Sequence, residues 1–307
     1  MAARHLLSIA DLSAETLARL VEDGAAIARG EWDGRKVLAE KIVGIYFRKT
    51  STRTRSAFTV GAMKLGASPI IYGPNDLQIL TGETIQDTAR VLASYLDALV
   101  IRTNESMEEM RSLAGQDRMS IINALTEGEH PTQAIADLVT LREAFGRLEG
   151  LHVLYIGEGN STAAALALAC GLLPNMRLTI VTPEGYGVPE SVLEQARGFR
   201  SGSQVEQRHD LDPPPRHVDA VYTSRWLTMG VQKQDAGWLA EFRPYTITPE
   251  LMARVSEPRT VFMHDLPAMR GYEVVDEVLD GPQSIAFRQA YHKMTGAMAV
   301  LAWSMAG

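Results

Sequence analysis

The chain has 307 residues, 46% of them hydrophobic, a formal net charge of −7 and one cysteine. That length suits two α/β domains with cores of ordinary size, the acidic balance argues against nucleic acid as the main partner, and a lone Cys170 rules out an intrachain disulfide and favours a reducing compartment. The apolar run 163–170 is too short to span a bilayer, and the N-terminus, acidic from Asp11 onward, lacks the basic-then-apolar pattern of a signal peptide, so a cytoplasmic protein without a membrane partner is expected.

In chain order, 11–29 reads as a helix capped by Ser13, with Leu17, Leu20, Val21 and Ile27 at near-helical spacing. The run Ile42-Val43-Gly44-Ile45-Tyr46-Phe47 predicts a strand, and Ser51-Thr52-Arg53-Thr54-Arg55 follows it at the start of a helix-compatible stretch, 56–65. First-turn N–H groups, hydroxyls and guanidinium forks together suit an oxyanion, so this turn reads as a phosphate seat; a capping serine followed by solvated arginines is the alternative. A strand at 69–72 and a loop through Gly82 lead to a helix from Glu83 and an apolar strand, 98–101, that ends at Arg102. An arginine there points at the crevice where open α/β sheets bind ligands, or is a solvated strand end. A helix near 106–113, a strand at 119–123 and a loop to His130-Pro131-Thr132-Gln133 follow, with Pro131 starting a helix that runs to Phe145. Three loops thus bring hydroxyls, arginines, an imidazole and an amide to one sheet edge. At an effective dielectric near 20, each arginine about 4 Å from a phosphate charge contributes on the order of 4 kcal/mol before desolvation, so two or three hold a dianion in an acidic protein.

A second domain opens with a strand at 151–156, the turn Gly157-Glu158-Gly159-Asn160 and an apolar helix, 162–173. This is half of a dinucleotide fingerprint, without its third glycine. Strands are expected at 177–181, from 205, at 219–223 and at 260–263, a helix at 189–197, and a stiff loop at Asp212-Pro213-Pro214-Pro215. The loops 224–230 and His264-Asp265-Leu266-Pro267 again leave strand C-termini, so this domain is expected to present its own crevice to the first. The last helix, 289–305, is apolar enough to pack back on the N-terminal domain. No His/Cys/Asp/Glu cluster has metal spacing, and no metal is expected.

These motifs resemble the aspartate/ornithine carbamoyltransferase family, on its ornithine branch. The carriers are Ser51-Thr52-Arg53-Thr54-Arg55, the stretch Glu83 to Val91, His130-Pro131-Thr132-Gln133, Thr228-Met229-Gly230, and His264-Asp265-Leu266-Pro267 with Arg270-Gly271-Tyr272-Glu273-Val274. The resemblance covers essentially the whole chain. It implies an α/β fold of two doubly wound, Rossmann-like parallel-sheet domains, 1–133 with 289–307 for carbamoyl phosphate and 134–288 for the amine acceptor. It also implies small-molecule substrates, no cofactor, and a homotrimer with shared active sites. Residue by residue, it assigns carbamoyl phosphate to Ser51, Thr52, Arg53, Thr54, Arg102, His130, Gln133, Leu266 and Lys293, with Gln78 reaching a neighbouring subunit's site. Lys293 stands where ornithine enzymes usually carry arginine, which keeps the charge and loses the fork. Arg55 reads as structural. Arg102, His130 and Thr54 would stabilise negative charge growing on the carbamoyl oxygen as an uncharged amine attacks, and Asp265 would act on that amine.

The acceptor side departs from its relatives. The resemblance places Leu125, Asn160, Ser161, Ser224, Arg225, Thr228, Met229 and Asp265 there. Ornithine enzymes hold the amino-acid head with an Asn after a Gly-Asp-Gly-Asn turn and with the Asp and Ser of an Asp-x-x-x-Ser-Met-Gly loop; here Ser161, Ser224 and Thr228 match them, and Asp265 replaces the Cys of a His-Cys-Leu-Pro motif. Losing two charge-assisted contacts, at about 1.5–3 kcal/mol each, weakens ornithine roughly a hundredfold to ten-thousandfold. The expected acceptor is therefore an amine other than ornithine, such as a diamine, a short diamino acid or a natural-product amine. A genuine ornithine carbamoyltransferase making citrulline and a non-catalytic paralogue are the alternatives.

Overall fold

The computed structural model describes residues 3–33, 36–103, 105–227 and 237–306. They form two compact units, 1–142 with 291–307, and 143–290.

The first unit is built on four parallel strands in the order β2-β1-β3-β4: β1 (Ile42–Phe47), β2 (Ser68–Tyr72), β3 (Ala98–Arg102) and β4 (Ser120–Leu125). Apart from Ile42 and Arg102 at their ends, β1, β3 and β4 are buried, which is why they read as continuous apolar runs rather than as alternating ones. The connecting helices are α2 (Thr52–Lys64), α3 (Ile85–Leu92), α4 (Met107–Ala114) and α5 (Pro131–Phe145), preceded by α1 (Ala14–Arg29). Ser13 caps α1 by accepting the Thr16 N–H, and Thr84 caps α3 by accepting that of Asp87. The N-terminal segment is itself stitched to β4: Leu6 N–H donates to Ile121 O at 2.9 Å and Asn123 N–H to Leu6 O at 2.8 Å.

The second unit has five parallel strands in the order β7-β6-β5-β8-β9: β5 (His152–Ile156), β6 (Arg177–Val181), β7 (Gln204–Arg208), β8 (Val218–Thr223) and β9 (Ser256–His264). Helices α6 (Ser161–Leu172) and α7 (Glu190–Gly198) follow β5 and β6. Every residue of α6 is buried, and at about 1.5–3 kcal/mol per buried large apolar side chain its leucines anchor that side of the sheet. Between β8 and β9 lie two short helices that the sequence reading left unassigned, α8 (Trp238–Phe242) and α9 (Pro249–Val255); α10 (Asp276–Leu279) follows β9, which begins four residues earlier than expected. The last helix, α11 (Ala286–Met305), starts in the second unit and ends in the first.

Each sheet has a switch point, between β1 and β3 in one and between β5 and β8 in the other, where successive connections leave toward opposite edges. In open α/β sheets ligands bind outside the strand C-termini at such points. The glycine turn after β5 has a packing origin. Gly157 has φ +137°, and a Cβ on Gly159 would lie 2.1 Å from the Val188 backbone nitrogen. Gly159 N–H also donates to Tyr186 O at 2.7 Å. The pair lets the 186–188 backbone lie against the turn, which accounts for half a fingerprint without a dinucleotide.

Candidate active site

In the first unit, the loop after β1 and the N-terminus of α2 border a cavity of about 500 Å³ whose lining includes Lys49, Thr50, Ser51, Thr52, Arg55 and Ser56. Ser51 occupies the N-cap of α2 without using its hydroxyl as a cap, Thr54 is buried in the first turn, and Thr52 is exposed. Arg53 lies on the same turn, half-buried. Arg55 also lines the cavity, its guanidinium 5.7 Å from the Phe47 ring centroid and its Nε buried without a hydrogen-bond partner. Arg55, expected to be structural, thus both packs on Phe47 and borders the cavity. Arg48 is committed elsewhere: Glu109 grips it in a two-point fork at 2.6 and 2.9 Å, and its Nε donates to Tyr46 Oη.

Arg102 ends β3 directly opposite Phe47 of β1 and Leu125 of β4 in register, so three loops meet at one edge as the spacing predicts. His130, at the entry to α5, is buried. Burial first, then the charges of Lys293 and Arg102, hold its imidazole well below the usual histidine range. It is therefore neutral at physiological pH, with one ring N–H to give. The Thr132 hydroxyl lies 3.4 Å from Nδ1; donating there leaves the proton on Nε2, aimed away from Thr132. Gln133 is held at both ends of its amide: Nε2 donates to the fully buried Asp137 at 2.7 Å, and Oε1 accepts from Lys293 Nζ. The Asp137 contact, which no sequence motif signalled, fixes which end of the amide faces Lys293.

Leu125 is buried, its N–H donating to Asn123 Oδ1 and its carbonyl accepting from Thr103 N–H, which leaves that oxygen one further lone pair. Gln78, exposed, starts the 3-10 turn Gln78–Thr81, and its Oε1 accepts the Thr81 hydroxyl at 2.7 Å.

In the second unit, Asn160 caps α6, its Oδ1 accepting the N–H groups of Thr162 and Ala163, while its Nδ2 donates to Ser224 Oγ at 2.9 Å. Ser224 is buried and lies 2.5 Å from the Tyr155 hydroxyl, which donates to Glu158 O at 2.8 Å. With the tyrosine proton on that carbonyl, the chain runs one way: Asn160 N–H to Ser224, Ser224 O–H to Tyr155, Tyr155 O–H to Glu158. Asn160 and Ser224 are thereby part of a closed scaffold, and Ser224 keeps only acceptor capacity for a ligand. Ser161 is buried in the first turn of α6. Arg225 is half-buried, with its Nε lacking a hydrogen-bond partner. Thr228 and Met229 lie outside the described residues.

Asp265 follows β9. Its Oδ2 accepts the Thr162 hydroxyl at 3.1 Å, and its Oδ1 lies 3.5 Å from His264 Nδ1. That nitrogen accepts the Leu266 N–H at 2.8 Å, so the His264 proton sits on Nε2, 3.2 Å from Glu273 Oε1. His264 thus gives Asp265 no hydrogen, and among the described residues Thr162 is its close donor. Leu266 adopts φ +52°, a conformation that costs a non-glycine residue on the order of 1–3 kcal/mol, and its N–H is spent on His264. Among the described residues no group of three or more His, Cys, Asp or Glu is placed to hold a metal ion, and no helix is long and apolar enough to cross a membrane.

The aspartate/ornithine carbamoyltransferase carbamoyl-P binding domain matches residues 4–143, and the Asp/Orn binding domain of the same family matches residues 149–304. The ornithine carbamoyltransferase of Nostoc punctiforme is 37% identical over 300 residues, covering 97% of this chain and 96% of its own. That of Methanothermobacter thermautotrophicus is 37% identical over 307 residues, covering 98% and 99%. The ornithine carbamoyltransferase structure from Pyrococcus furiosus superposes with a TM-score of 0.91 at 35% identity over 100% of this chain and 98% of that one; the one from Gloeobacter violaceus gives 0.87 at 36% over 98% and 99%. Two family domains matched over 4–143 and 149–304 and relatives similar over their full length agree, and the chain belongs to the aspartate/ornithine carbamoyltransferase family as a carbamoyltransferase.

Proposed function

We propose that the chain transfers the carbamoyl group of carbamoyl phosphate to ornithine, giving citrulline and phosphate. The neutral, buried His130 between two cations carries the transfer chemistry, and the full-length relatives named ornithine carbamoyltransferase favour ornithine as acceptor over the altered amine suggested by the sequence. In this reading Ser51, Thr52, Arg53 and Thr54 hold the phosphate, and Arg102, His130 and Gln133 hold the carbamoyl group, with Lys293 behind Gln133. The uncharged amine attacks the carbamoyl carbon and a C–N bond forms. Charge gathers on the oxygen facing Arg102, His130 and Thr54, and the bond to the phosphate oxygen breaks as the amine passes a proton to the departing phosphate. Donors already in place cost no reorganisation at that moment, and an activated leaving group needs no cofactor once the partners are positioned. A trimer in which Gln78 serves a neighbouring site, in the cytoplasm, belongs to the same proposal.

One observation favours a second acceptor. Position 224 carries no carboxylate, its hydroxyl proton is committed to Tyr155, and at 265 stands a carboxylate with a single close donor among the described residues. An acceptor that places its cation beside Asp265 and its carboxylate on Arg225, such as a short diamino acid or a natural-product amine, suits that arrangement. Phosphate release from carbamoyl phosphate with ornithine, shorter diamino acids, lysine, putrescine and aspartate, with products weighed, decides between the two. Ornithine turned over at ordinary efficiency supports the first reading; poor turnover of ornithine beside a better amine supports the second; no release with any amine counts against both.

A further inference from the structure

Glu129 precedes His130 in the loop between β4 and α5, is 6% exposed, and has no role in the reaction as described. Its Oε1 accepts the N–H of Ile9 at 2.7 Å, and the Ser8 hydroxyl bonds the same carboxyl. Ser8 and Ile9 open the 3-10 turn Ile9–Asp11, the end of the N-terminal segment stitched along β4. The same segment is held once more where Asn123 Nδ2 donates to Leu7 O at 2.8 Å. On the loop side, the Glu129 carbonyl accepts both the N–H and the hydroxyl of Thr126, at 2.9 and 3.2 Å, closing a tight turn. The next residue is His130, whose carbonyl receives the N–H groups of Gln133 and Ala134 as α5 begins. His130 is therefore suspended between a helix and a turn whose outer end is tied down by one side chain.

We infer that Glu129 is a positioning residue: by clasping the backbone of Ile9 it fixes the turn that aims His130, and so makes the N-terminal segment part of the catalytic support. The step from aim to catalysis rests on the transfer reading above. The clasp rests on geometry alone. Burial, and secondarily the charge of Asp11, push the Glu129 carboxyl up to about 7, against the pull of Ser8 and the Ile9 N–H. On its own loop the other titratable groups are Glu127, exposed, and His130, held neutral. A folded-state value above the unfolded one means that the native state binds the extra proton, so this group's contribution to stability falls as pH rises from about 4.5 to about 7.

The test compares the full-length wild type with E129A and E129Q. The alanine variant leaves the Ile9 N–H without its acceptor, whereas glutamine keeps a carbonyl oxygen there and removes the charge. E129A is expected to lower kcat about tenfold or more and to raise the Kd of carbamoyl phosphate, to which the 51–54 turn contributes as well as His130, by a clearly smaller factor. It should also speed amide exchange at Ile9 about tenfold. E129Q should restore kcat to within about threefold of wild type and abolish the loss of melting temperature between pH 4.5 and 7. An unchanged kcat in E129A, or equal losses in kcat and carbamoyl phosphate affinity that glutamine does not rescue, overturns the inference. Failure of the transfer reading shows separately, as absence of carbamoyl phosphate binding to the unsubstituted protein. The His130 imidazole resonance then decides: shifted in E129A and restored in E129Q sustains the positioning role, and unmoved in both ends it.

Discussion

At position 265 a carboxylate sits beside an imidazole that has no proton to give it. The His264 lone pair is filled by the Leu266 N–H and its ring proton points to Glu273, leaving Thr162, among the described residues, as the close donor to Asp265. A partly exposed carboxylate in that state is suited to a cation, and the cation an aminoacyl acceptor brings is an ammonium. D265N preserves size and the Thr162 contact while removing the charge. If Asp265 receives the acceptor, D265N raises the acceptor KM about tenfold to a hundredfold, the worth of one charge-assisted hydrogen bond, and leaves carbamoyl phosphate affinity in place. Acceptor kinetics that match wild type would remove Asp265 from the acceptor site and return it to the scaffold. His130 and Ser224 differ in legibility for a related reason. His130 could be read from Pro131 and its place after a strand, because helix starts have local signatures. The commitment of Ser224 could not, because its partner Tyr155 lies on another strand, 69 residues earlier.

Among the elements, the turn from β5 into α6 gives the sharpest test of a packing claim. A Cβ on Gly159 would meet backbone, the Val188 nitrogen at 2.1 Å and the Gly187 carbonyl carbon at 2.2 Å, and backbone cannot swing aside as a long side chain does. G159A should therefore destabilise the protein by about 1–3 kcal/mol in urea unfolding, the usual cost of overpacking. Wild-type stability under urea in the alanine variant would show that the 186–188 segment is not seated against the turn. The strands were legible because burial on both faces demands unbroken β-branched and aliphatic runs, as in β1, β3 and β5. Helices α8 and α9 were not, since five and seven residues are too few for a period to show. Even so, Thr248 as cap and Pro249 at the first position of α9 form a start signal that could have been read. The early start of β9 was hidden for the opposite reason: Glu257, Pro258 and Arg259 are exposed and carry no apolar pattern.

For the whole molecule, the open question is the company the first unit keeps. Large apolar side chains stand exposed there: Met63 at 62% and Val60 on α2, Val91 on α3, and Tyr95 at 65% just beyond it. Scattered apolar residues are ordinary on a surface, and these fall on both faces of the sheet, because the connections through α2 and α3 run in opposite directions along it. A trimer, as proposed, would cover one of these patches and give Gln78, exposed on its own chain, a destination. Light scattering after gel filtration should find a mass of three 33.6 kDa chains. The pair of substitutions M63E and Y95E, which puts a charge on each patch without touching the 51–55 turn, should shift the species toward monomer. It should depress turnover far more than carbamoyl phosphate binding, because in the proposed trimer the 51–54 turn would belong to one chain and Gln78 to the next. A wild-type monomer with full activity would sever Gln78 from the site, and an intact trimer carrying both glutamates would place the contact on another face of the unit.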